Sequence, residues 1–365
     1  MDKVIIVTSN IAPYRLKWAE ELANFHNVII VYTKDHDFER DDRWLKTSSK
    51  KCELIKLKNS NSHDPLCFDV INIIKNNINS VFIFDGYGPK TNLLGLVYCR
   101  LKHLKVIVNV DGFPTERKKN VFKESLKRII IKNFCPYIFC GGENVKDYLV
   151  RYGKNERDII VHNFSSISEK EILSKVLSKE EKNSIRRELN ICCNTNIILA
   201  VGRFLPLKRF DDLILAFKKC HSNCELYFIG GKPSNNYLKL ANNDERIHFI
   251  DFVLPENIYK YYEMANVFVL PSETDVWGLV INEAMAKGLP IIASDSVVAS
   301  KNLINGNGYI FKTYDIDELC KYIDLCLEPT NNEKMSNRSL QIIKDYTIEG
   351  MVKKQLPTIS NLFKL

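Results

Sequence analysis

A potential anion-binding helix follows Pro271. The pattern predicts that a strand ends at this proline and that, after a turn, a helix begins near Gly278. The backbone N–H groups of Gly278, Leu279 and Val280 would then face a ligand, and the helix dipole favours negative charge there. Glu283 lies just over one helical turn beyond Leu279, where its carboxylate could accept hydrogen bonds from a ribose diol. Together these groups suit a nucleoside diphosphate.

A basic loop precedes this segment in the chain. Gly202 follows a predicted strand and permits a sharp turn, after which come Arg203 and Lys208. Arg offers a bidentate fork and Lys a point charge, and this pair is suited to neutralising a diphosphate. A solvated basic loop would have the same composition, so the loop alone leaves both interpretations open.

Short apolar strands alternate with helical patterns along the whole chain, and this alternation must position the two motifs. Near-continuous β-branched strands separated by helices indicate parallel sheets covered on both faces, as in doubly wound Rossmann-like domains. Strands are predicted at 3–8, 28–33, 53–57, 81–84, 105–110, 137–140, 159–162, 197–201, 225–229, 248–252, 267–270 and 291–294. Helices are predicted at 14–25, 68–76, 91–101, 121–133, 211–221, 257–265, 279–287 and 315–327.

The alternation breaks once, in a polar stretch, and then restarts. This divides the chain into an N-terminal Rossmann-like domain, a linker with a surface helix, a second Rossmann-like domain that carries both motifs, and a helical tail. The boundaries are 1–164, 165–194, 195–345 and 346–365. Pro357 is expected to interrupt the tail, which could cross back to the first domain. Ligand sites in such sheets form at the carboxyl ends of the strands, here expected to face a cleft between the domains.

Composition narrows the class of protein. The 365 residues are 45% hydrophobic and 26% charged, which argues against collagen-like, low-complexity and disordered chains. No apolar run approaches the roughly 20 residues of a membrane span. The first predicted strand starts close to Met1, so no signal peptide and a cytoplasmic location are expected. The 11 cysteines include no C-x-x-C pair, so neither a disulfide framework nor a metal site is expected.

The stretch 271–295 resembles the signature of the retaining GT-B glycosyltransferases of family 4, the glycosyl transferases group 1. Two carboxylates are followed by Ala-Met-Ala, then Gly, Pro and a strand. The Gly202–Lys208 loop and the turn Gly306-Asn307-Gly308-Tyr309 match further hallmarks. The resemblance covers residues 196–311 well and the remainder less closely. It implies the GT-B fold, two Rossmann-like domains, and transfer of a sugar from a nucleotide diphosphate donor with retention of anomeric configuration.

The resemblance also implies roles for individual residues. Arg203 and Lys208 would grip the donor diphosphate, and Glu283 would hold the ribose. These cations and the helix N-terminus can stabilise a leaving diphosphate, so no metal and no cofactor besides the donor sugar nucleotide are implied. The complete set of donor-binding candidates is Arg203, Lys208, Val253, Gly278, Leu279, Val280 and Glu283.

The chain departs from the family pattern at the first carboxylate. The family usually has Glu near the transferred sugar, whereas Asp275 stands eight positions before Glu283 here. Asp keeps the charge on a shorter stem. Glu273 lies two residues away and could substitute, but Asp275 is the preferred catalytic candidate, together with Arg203 and Lys208.

The first domain carries candidates for the acceptor side. The loop after the first strand contains Asn10, Tyr14 and Arg15 where the family usually has two glycines. Asp111 stands where many members place a His that faces the sugar, and it is the candidate for contacting sugar or acceptor; an Asp-Gly turn is the alternative. Asp85 also follows a strand on the same rim.

The formal charge of +8 lies in one half of the chain. Residues 1–164 have 27 Lys and Arg against 19 Asp and Glu, and residues 100–132 have ten against three. The basic amphipathic helix in this window suits an anionic membrane surface. A core-packing helix with a solvated face is the alternative. No recognition motif points to nucleic acid.

The sequence thus predicts a retaining, metal-independent glycosyltransferase of bacterial surface-polysaccharide assembly. Its acceptor would be an oligosaccharide or lipid-linked saccharide at the cytoplasmic face of the membrane. Two alternatives stay open: a GT-B nucleotide-sugar epimerase, which would need no acceptor, and a non-catalytic partner protein that binds nucleotide sugars. A Rossmann oxidoreductase is disfavoured because neither domain has G-x-G-x-x-G after its first strand.

Overall fold

The computed structural model describes residues 2–35, 44–45, 48–58, 63–113, 121–191, 193 and 195–364. The chain forms two compact units. Unit 1 comprises Met1–Ser166 with Thr347–Leu365, and unit 2 comprises Ile167–Tyr346.

Unit 1 is built on a seven-stranded parallel sheet in the order β3-β2-β1-β4-β5-β6-β7. Its central strands are buried on both faces, which explains their continuous Val, Ile and Phe content. The strands are β1 Lys3–Thr8, β2 Asn27–Tyr32, β3 Glu53–Lys56, β4 Val81–Asp85, β5 Lys105–Val110, β6 Tyr137–Cys140 and β7 Ile159–Val161. The helices between them are α1 Pro13–Leu22, α2 Asp69–Lys75, α3 Lys90–Leu101, α4 Val121–Phe134 and α5 Glu143–Arg151.

Unit 2 repeats the plan on a six-stranded parallel sheet in the order β10-β9-β8-β11-β12-β13. Its strands are β8 Asn196–Val201, β9 Cys224–Ile229, β10 Ile247–Ile250, β11 Val267–Leu270, β12 Ile291–Ser294 and β13 Gly308–Phe311. Its helices are α6 Lys179–Glu188, α7 Phe210–Lys219, α8 Asn235–Ala241, α9 Tyr259–Met264, α10 Leu279–Ala286, α11 Ser300–Leu303, α12 Ile316–Leu327 and α13 Pro329–Ile343.

Both sheets contain a topological switch point. In unit 1 the chain builds outward from β1 to β2 and β3, then returns to add β4 on the other side. In unit 2 the same reversal lies between β8 and β11. Loops at the carboxyl ends of the two strands diverge at such a point and leave a crevice, which is where doubly wound sheets bind ligands. The fold therefore predicts that ligand-binding residues follow β1 and β4 in unit 1, and β8 and β11 in unit 2.

The last helix, α14 (Ile348–Lys364), belongs to unit 1 and packs on α1. The indole Nε1 of Trp18 donates to Gln355 Oε1 at 2.8 Å. Pro357 lies inside this helix and does not end it, so the predicted interruption is wrong. Ile359 and Leu362 beyond the proline are buried, and burying them offsets the roughly 3 kcal/mol that a proline costs inside a helix.

The segment predicted as a linker with a surface helix is instead mostly an integral part of unit 2. Helix α6 begins with a capping box between Ser178 and Glu181 and buries two cationic side chains. Lys182 Nζ donates to Ala265 O at 2.6 Å, and Arg186 donates to the carbonyls of Met264 and Thr195. These two side chains satisfy carbonyls at the end of α9 and before β8, while the exposed residues of α6 form a surface face: Lys179, Glu180, Ser184, Arg187 and Glu188.

Candidate functional site

The two motifs of unit 2 meet at the switch point between β8 and β11. Lys208 Nζ lies 2.6 Å from Asp275 Oδ2, and both side chains are 17% exposed. The backbone N–H of Glu273 donates to Leu207 O at 2.8 Å and ties the two loops together. The structure therefore joins a cation and a carboxylate that are 67 residues apart in the sequence.

The loop after β8 separates its basic residues. The backbone turns at Gly202 (φ 155°) and then forms a short 3-10 turn over Pro206–Lys208. Arg209 is directed to α7, where its guanidinium donates to both carboxylate oxygens of Asp212 at 2.6 and 2.9 Å. Lys208 instead reaches the β11 loop, and Arg203 is half-buried in the same loop.

Asp275 is anchored through its backbone. It forms an isolated parallel bridge with Val297, and its carbonyl accepts a hydrogen bond from Val298 N–H at 3.2 Å. Asp275 is thus the carboxylate observed against Lys208, while Glu273 contributes its backbone to the loop junction and has a half-buried side chain.

Helix α10 starts beside this pair in the sequence. Gly278 is its N-cap with φ 103°, and a Cβ there would lie 2.9 Å from Val297 Cγ1, so only glycine fits. Leu279 and Val280 are the first helical residues and are half-buried. N–H groups of a first helical turn have no partner within the helix, and the dipole there favours an anion.

Glu283 is oriented by a residue that the sequence analysis did not single out. Its Oε2 accepts a hydrogen bond from the hydroxyl of Tyr262 at 2.8 Å, and Tyr262 is fully buried on α9. Burial raises the pKa of Tyr262, and the Glu283 carboxylate raises it further, so the phenol stays a donor. No spacing signal connects a tyrosine on one helix with a carboxylate on the next.

A second polar group lies in unit 1, at the carboxyl ends of β4 and β5. One guanidinium nitrogen of Arg15, on α1, is 2.6 Å from Asp85 Oδ1 and 2.5 Å from Asp111 Oδ2. The Arg15 side chain is 3% exposed and each carboxylate 18%. We call these three residues the carboxylate cluster.

Two neutral donors complete this cluster, and the sequence analysis missed both. Thr8 Oγ1 donates to Asp85 Oδ2 at 2.9 Å. Asn109 Nδ2 donates to Asp111 Oδ1 at 3.1 Å and lies 3.4 Å from Asp85 Oδ1. Burial raises the pKa of Asp111 to about 6; the neighbouring Asp85 also raises it, and Arg15 opposes both.

The three remaining candidates are Asn10, Tyr14 and Val253. The Asn10 carbonyl oxygen lies 3.2 Å from Thr8 Oγ1, and the Tyr14 ring packs edge-on against Phe164 at 5.7 Å. Val253 lies half-buried in the loop after β10, an edge strand that is separated from β8 by β9.

Among the described residues, three potential metal ligands lie close together outside these groups. Cys220, Cys320 and Asp324 offer ligand atoms within 4.8 Å of one another, an arrangement that the cysteine spacing did not predict. Asp324 already accepts hydrogen bonds from the hydroxyl and N–H of Ser222 at 2.6 and 3.0 Å, which stabilise the turn after α7.

Comparisons of the sequence and the fold with known proteins find a matching family. The family model described as Glycosyl transferases group 1 matches residues 181–341, the part of unit 2 that holds the Lys208–Asp275 pair and Glu283. An uncharacterized glycosyltransferase of Haemophilus influenzae is 25% identical over 76% of this chain and 75% of its own length. Residues 181–341 are thus similar to the glycosyl transferases group 1 family.

Further similarities extend over both units. The capsular polysaccharide biosynthesis glycosyltransferase CapM of Staphylococcus aureus is 24% identical over 77% of each chain. Sucrose-phosphate synthase from Thermosynechococcus elongatus matches the fold with a TM-score of 0.81 at 17% identity, over the full length of both chains. Anabaena HepE, solved in complex with UDP-glucose, matches with a TM-score of 0.76 at 13% identity over 99% of this chain and all of its own. The predicted GT-B fold is confirmed.

A helix that spans a bilayer must be both long and apolar. Within the described part of the chain, no helix combines the length and hydropathy that crossing a membrane would need.

Proposed function

We propose that this protein is a group 1 glycosyltransferase that transfers a sugar from a nucleoside diphosphate sugar to a saccharide hydroxyl, with retention of anomeric configuration and without a metal ion. The observation that carries the proposal is the Lys208–Asp275 pair at the switch point of unit 2. It places a cation that can bind a phosphate next to a carboxylate that can stabilise positive charge on the sugar ring.

The donor would be held by unit 2. Lys208 and Arg203 would neutralise the diphosphate, and the first N–H groups of α10 would add hydrogen bonds to its oxygens. Glu283, fixed by Tyr262, would accept hydrogen bonds from the ribose hydroxyls. The UDP-glucose complex of Anabaena HepE supports a uridine nucleotide as the first donor to test. Val253 remains a donor-side candidate.

Bond cleavage would develop negative charge on the diphosphate and positive charge on the anomeric carbon. Lys208 and Arg203 stabilise the first without metal assistance, because fixed cations in a partly dry site act strongly on developing charge. Asp275, on its short anchored stem, would stabilise the second. Glu273 is the alternative for this role.

The acceptor would be bound by unit 1, with Asp111 as the catalytic candidate and Asn10, Tyr14, Arg15 and Asp85 on the acceptor side. The similarity to CapM, named for capsular polysaccharide biosynthesis, supports an oligosaccharide or lipid-linked acceptor in bacterial surface-polysaccharide assembly. Such an acceptor would be met at the cytoplasmic face of the membrane.

Helix α4 supports contact with that membrane. Phe122, Leu126 and Ile129 follow one another at i, i+4 and i+7 and so share a face, and they are exposed by 78%, 48% and 50%. Ile131 is the one buried residue of this helix. A helix that packs against the core would bury more of its residues, so this exposure disfavours the core-packing interpretation. Arg128 and Lys132 are exposed on the adjoining face and would meet anionic headgroups.

The main test combines donor turnover with product analysis. Purified protein is offered UDP-sugars, with GDP-sugars for comparison, and saccharide acceptors, and nucleoside diphosphate release and the anomeric configuration of the product are measured with and without EDTA. We expect a retained product and the same rate in EDTA. An inverted product or loss of rate in EDTA contradicts the corresponding part of the proposal. Donor conversion without acceptor would instead support the epimerase, and donor binding without turnover the non-catalytic partner.

The membrane proposal is tested with sedimenting vesicles. The wild type should sediment with vesicles containing anionic lipid and much less with zwitterionic ones, because basic side chains contribute up to about 1 kcal/mol each near an anionic surface. The double variant Phe122→Ser, Leu126→Ser should lose sedimentation at unchanged thermal stability, while Leu238→Ser, an exposed leucine of unit 2, serves as the control. Equal sedimentation of all three proteins would rule out α4 as the contact.

A further inference from the structure

The carboxylate cluster presents only oxygen atoms to a ligand. The Arg15 guanidinium is almost fully covered, whereas the Asp85 and Asp111 carboxylates each keep 18% of their surface exposed. Thr8 and Asn109 direct their donor groups to these same oxygens. Thr8, Asn109 and one Arg15 nitrogen are therefore engaged by the carboxylates, Arg15 Nε is buried, and the atoms that a ligand can reach are carboxylate oxygens.

The cluster also carries excess negative charge. One guanidinium faces two carboxylates, and its Thr8 and Asn109 partners are neutral. Tyr14 and His162 also act on Arg15 or are acted on by it. The pKa of His162, just after β7, falls to about 3 because it is buried and lies near Arg15 and Lys354. His162 is therefore neutral at physiological pH and adds no positive charge.

Contacts with α14 and with aromatic rings hold the Arg15 side chain in place. Helix α1, which carries it, is fixed to α14 by the hydrogen bond from Trp18 to Gln355, and Gln355 in turn contacts His162 Nδ1 at 2.5 Å. The guanidinium also lies 5.4 Å from the Trp18 ring centroid and 5.7 Å from that of Phe164. Such a packed fork cannot swing out to meet a ligand, so it acts on the carboxylates.

We propose that Asp85 and Asp111 recognise the acceptor as a saccharide that presents hydroxyl donors and no anionic substituent at this point, and that Arg15 is the positioning residue that sets their spacing. This inference rests on the proposed function. Sugar hydroxyls can donate to the exposed oxygens, whereas a phosphate or carboxylate group would meet like charge, which disfavours its binding. An ammonium group would share the donor chemistry of a hydroxyl.

Matched acceptors test this selectivity. A neutral glycoside, its 2-amino analogue and its uronate analogue are compared with the preferred donor at saturation. We expect kcat/KM for the neutral glycoside to exceed that for the uronate by at least about tenfold. If the amino analogue is used better than the neutral glycoside, the group that the cluster recognises is an ammonium group, and the hydroxyl part of the proposal is wrong. Equal use of the uronate would overturn the proposal.

Variants locate the discrimination. In Asp85→Asn and Asp111→Asn the ratio between neutral and uronate acceptors should shrink to within about threefold, with donor KM unchanged, because each removes one negative charge. Asp147→Asn, which changes an exposed carboxylate on α5, should leave the ratio at its wild-type value. An unchanged ratio in both cluster variants would overturn the assignment even if their overall rates fall.

Arg15→Lys separates positioning from mere structure. Lys keeps the charge but lacks the fork, so we expect acceptor KM to rise while donor KM and thermal stability stay near wild type. Equal changes in donor and acceptor KM would contradict a positioning role. If wild-type protein turns over no nucleotide sugar with any acceptor, the proposed function and this inference fail together; normal turnover without discrimination overturns only the inference.

Discussion

The Lys208–Asp275 pair and the carboxylate cluster use the same chemistry to different ends. Both lie at the carboxyl ends of strands that flank a switch point. The pair of unit 2 balances one cation with one anion, and both partners are 17% exposed, so the lysine on its flexible stem is within reach of a ligand. In the carboxylate cluster of unit 1 the single cation, Arg15, is buried and faces two carboxylates. An accessible lysine suits ligand neutralisation, whereas a buried guanidinium suits the positioning of acidic groups.

Removing the accessible lysine should produce the largest loss of activity. Lys208→Ala is expected to lower donor turnover by 10²–10³-fold, because one stabilising group at a developing charge contributes about 3 kcal/mol. Steady-state nucleoside diphosphate release measures this. Lys219→Ala, which breaks an exposed pair with Asp317, should keep the wild-type rate.

Asp275→Asn and Glu273→Gln then assign the carboxylate. We expect the first to lose activity on the scale of Lys208→Ala and the second to lose far less, because Asp275 is the one that contacts Lys208. The reverse order would move the catalytic role to Glu273.

Removing the covered arginine should instead destabilise the protein. Arg15→Ala leaves two largely buried carboxylates without their cation, and a free energy of unfolding lower by about 3 kcal/mol is expected from urea titration. Lys260→Ala, which breaks an exposed pair with Glu188, should change it by less than about 1 kcal/mol. Similar losses in the two variants would mean that Arg15 does not hold the carboxylates in place.

A smaller effect is expected at the ribose carboxylate. Tyr262→Phe removes the hydroxyl that donates to Glu283 and keeps the buried ring. Loss of one hydrogen bond of about 1 to 1.5 kcal/mol predicts a rise of five- to tenfold in donor KM with little change in acceptor KM. An unchanged donor KM would show that Glu283 needs no orientation by this tyrosine.

The smallest predicted effect is a pH dependence at the carboxylate cluster. With a pKa of about 6, Asp111 gains a proton below that pH and can no longer offer two acceptor oxygens, so kcat/KM for the acceptor should fall on acidification. The folded pKa is above the unfolded value near 3.9, so the native state binds the extra proton and stability decreases as pH rises from about 4 to 6. Asp111→Asn should remove both trends, and their persistence would assign them to another group.

Much of the fold was predictable because strand signals are local. Runs such as Val4–Val7 are buried on both faces, and the predicted 3–8, 105–110 and 267–270 strands agree with β1, β5 and β11. Strand β13 was missed, because Gly306 and Gly308 favour a turn in isolation. Helices α5 and α8 were also not predicted; the first begins directly after Gly141-Gly142, which resembles a loop.

Local sequence patterns are sufficient to predict most of the elements and the motif at α10, because Gly278 and Glu283 act within two turns of one helix. Tertiary structure alone decided which charged groups meet. Arg15 reaches Asp111 across 96 residues, and Lys208 reaches Asp275 across 67. These contacts follow from the strand order, which brings the ends of β1, β4 and β5 side by side and likewise those of β8 and β11. Strand order is set by packing the whole sheet, and no local pattern carries it.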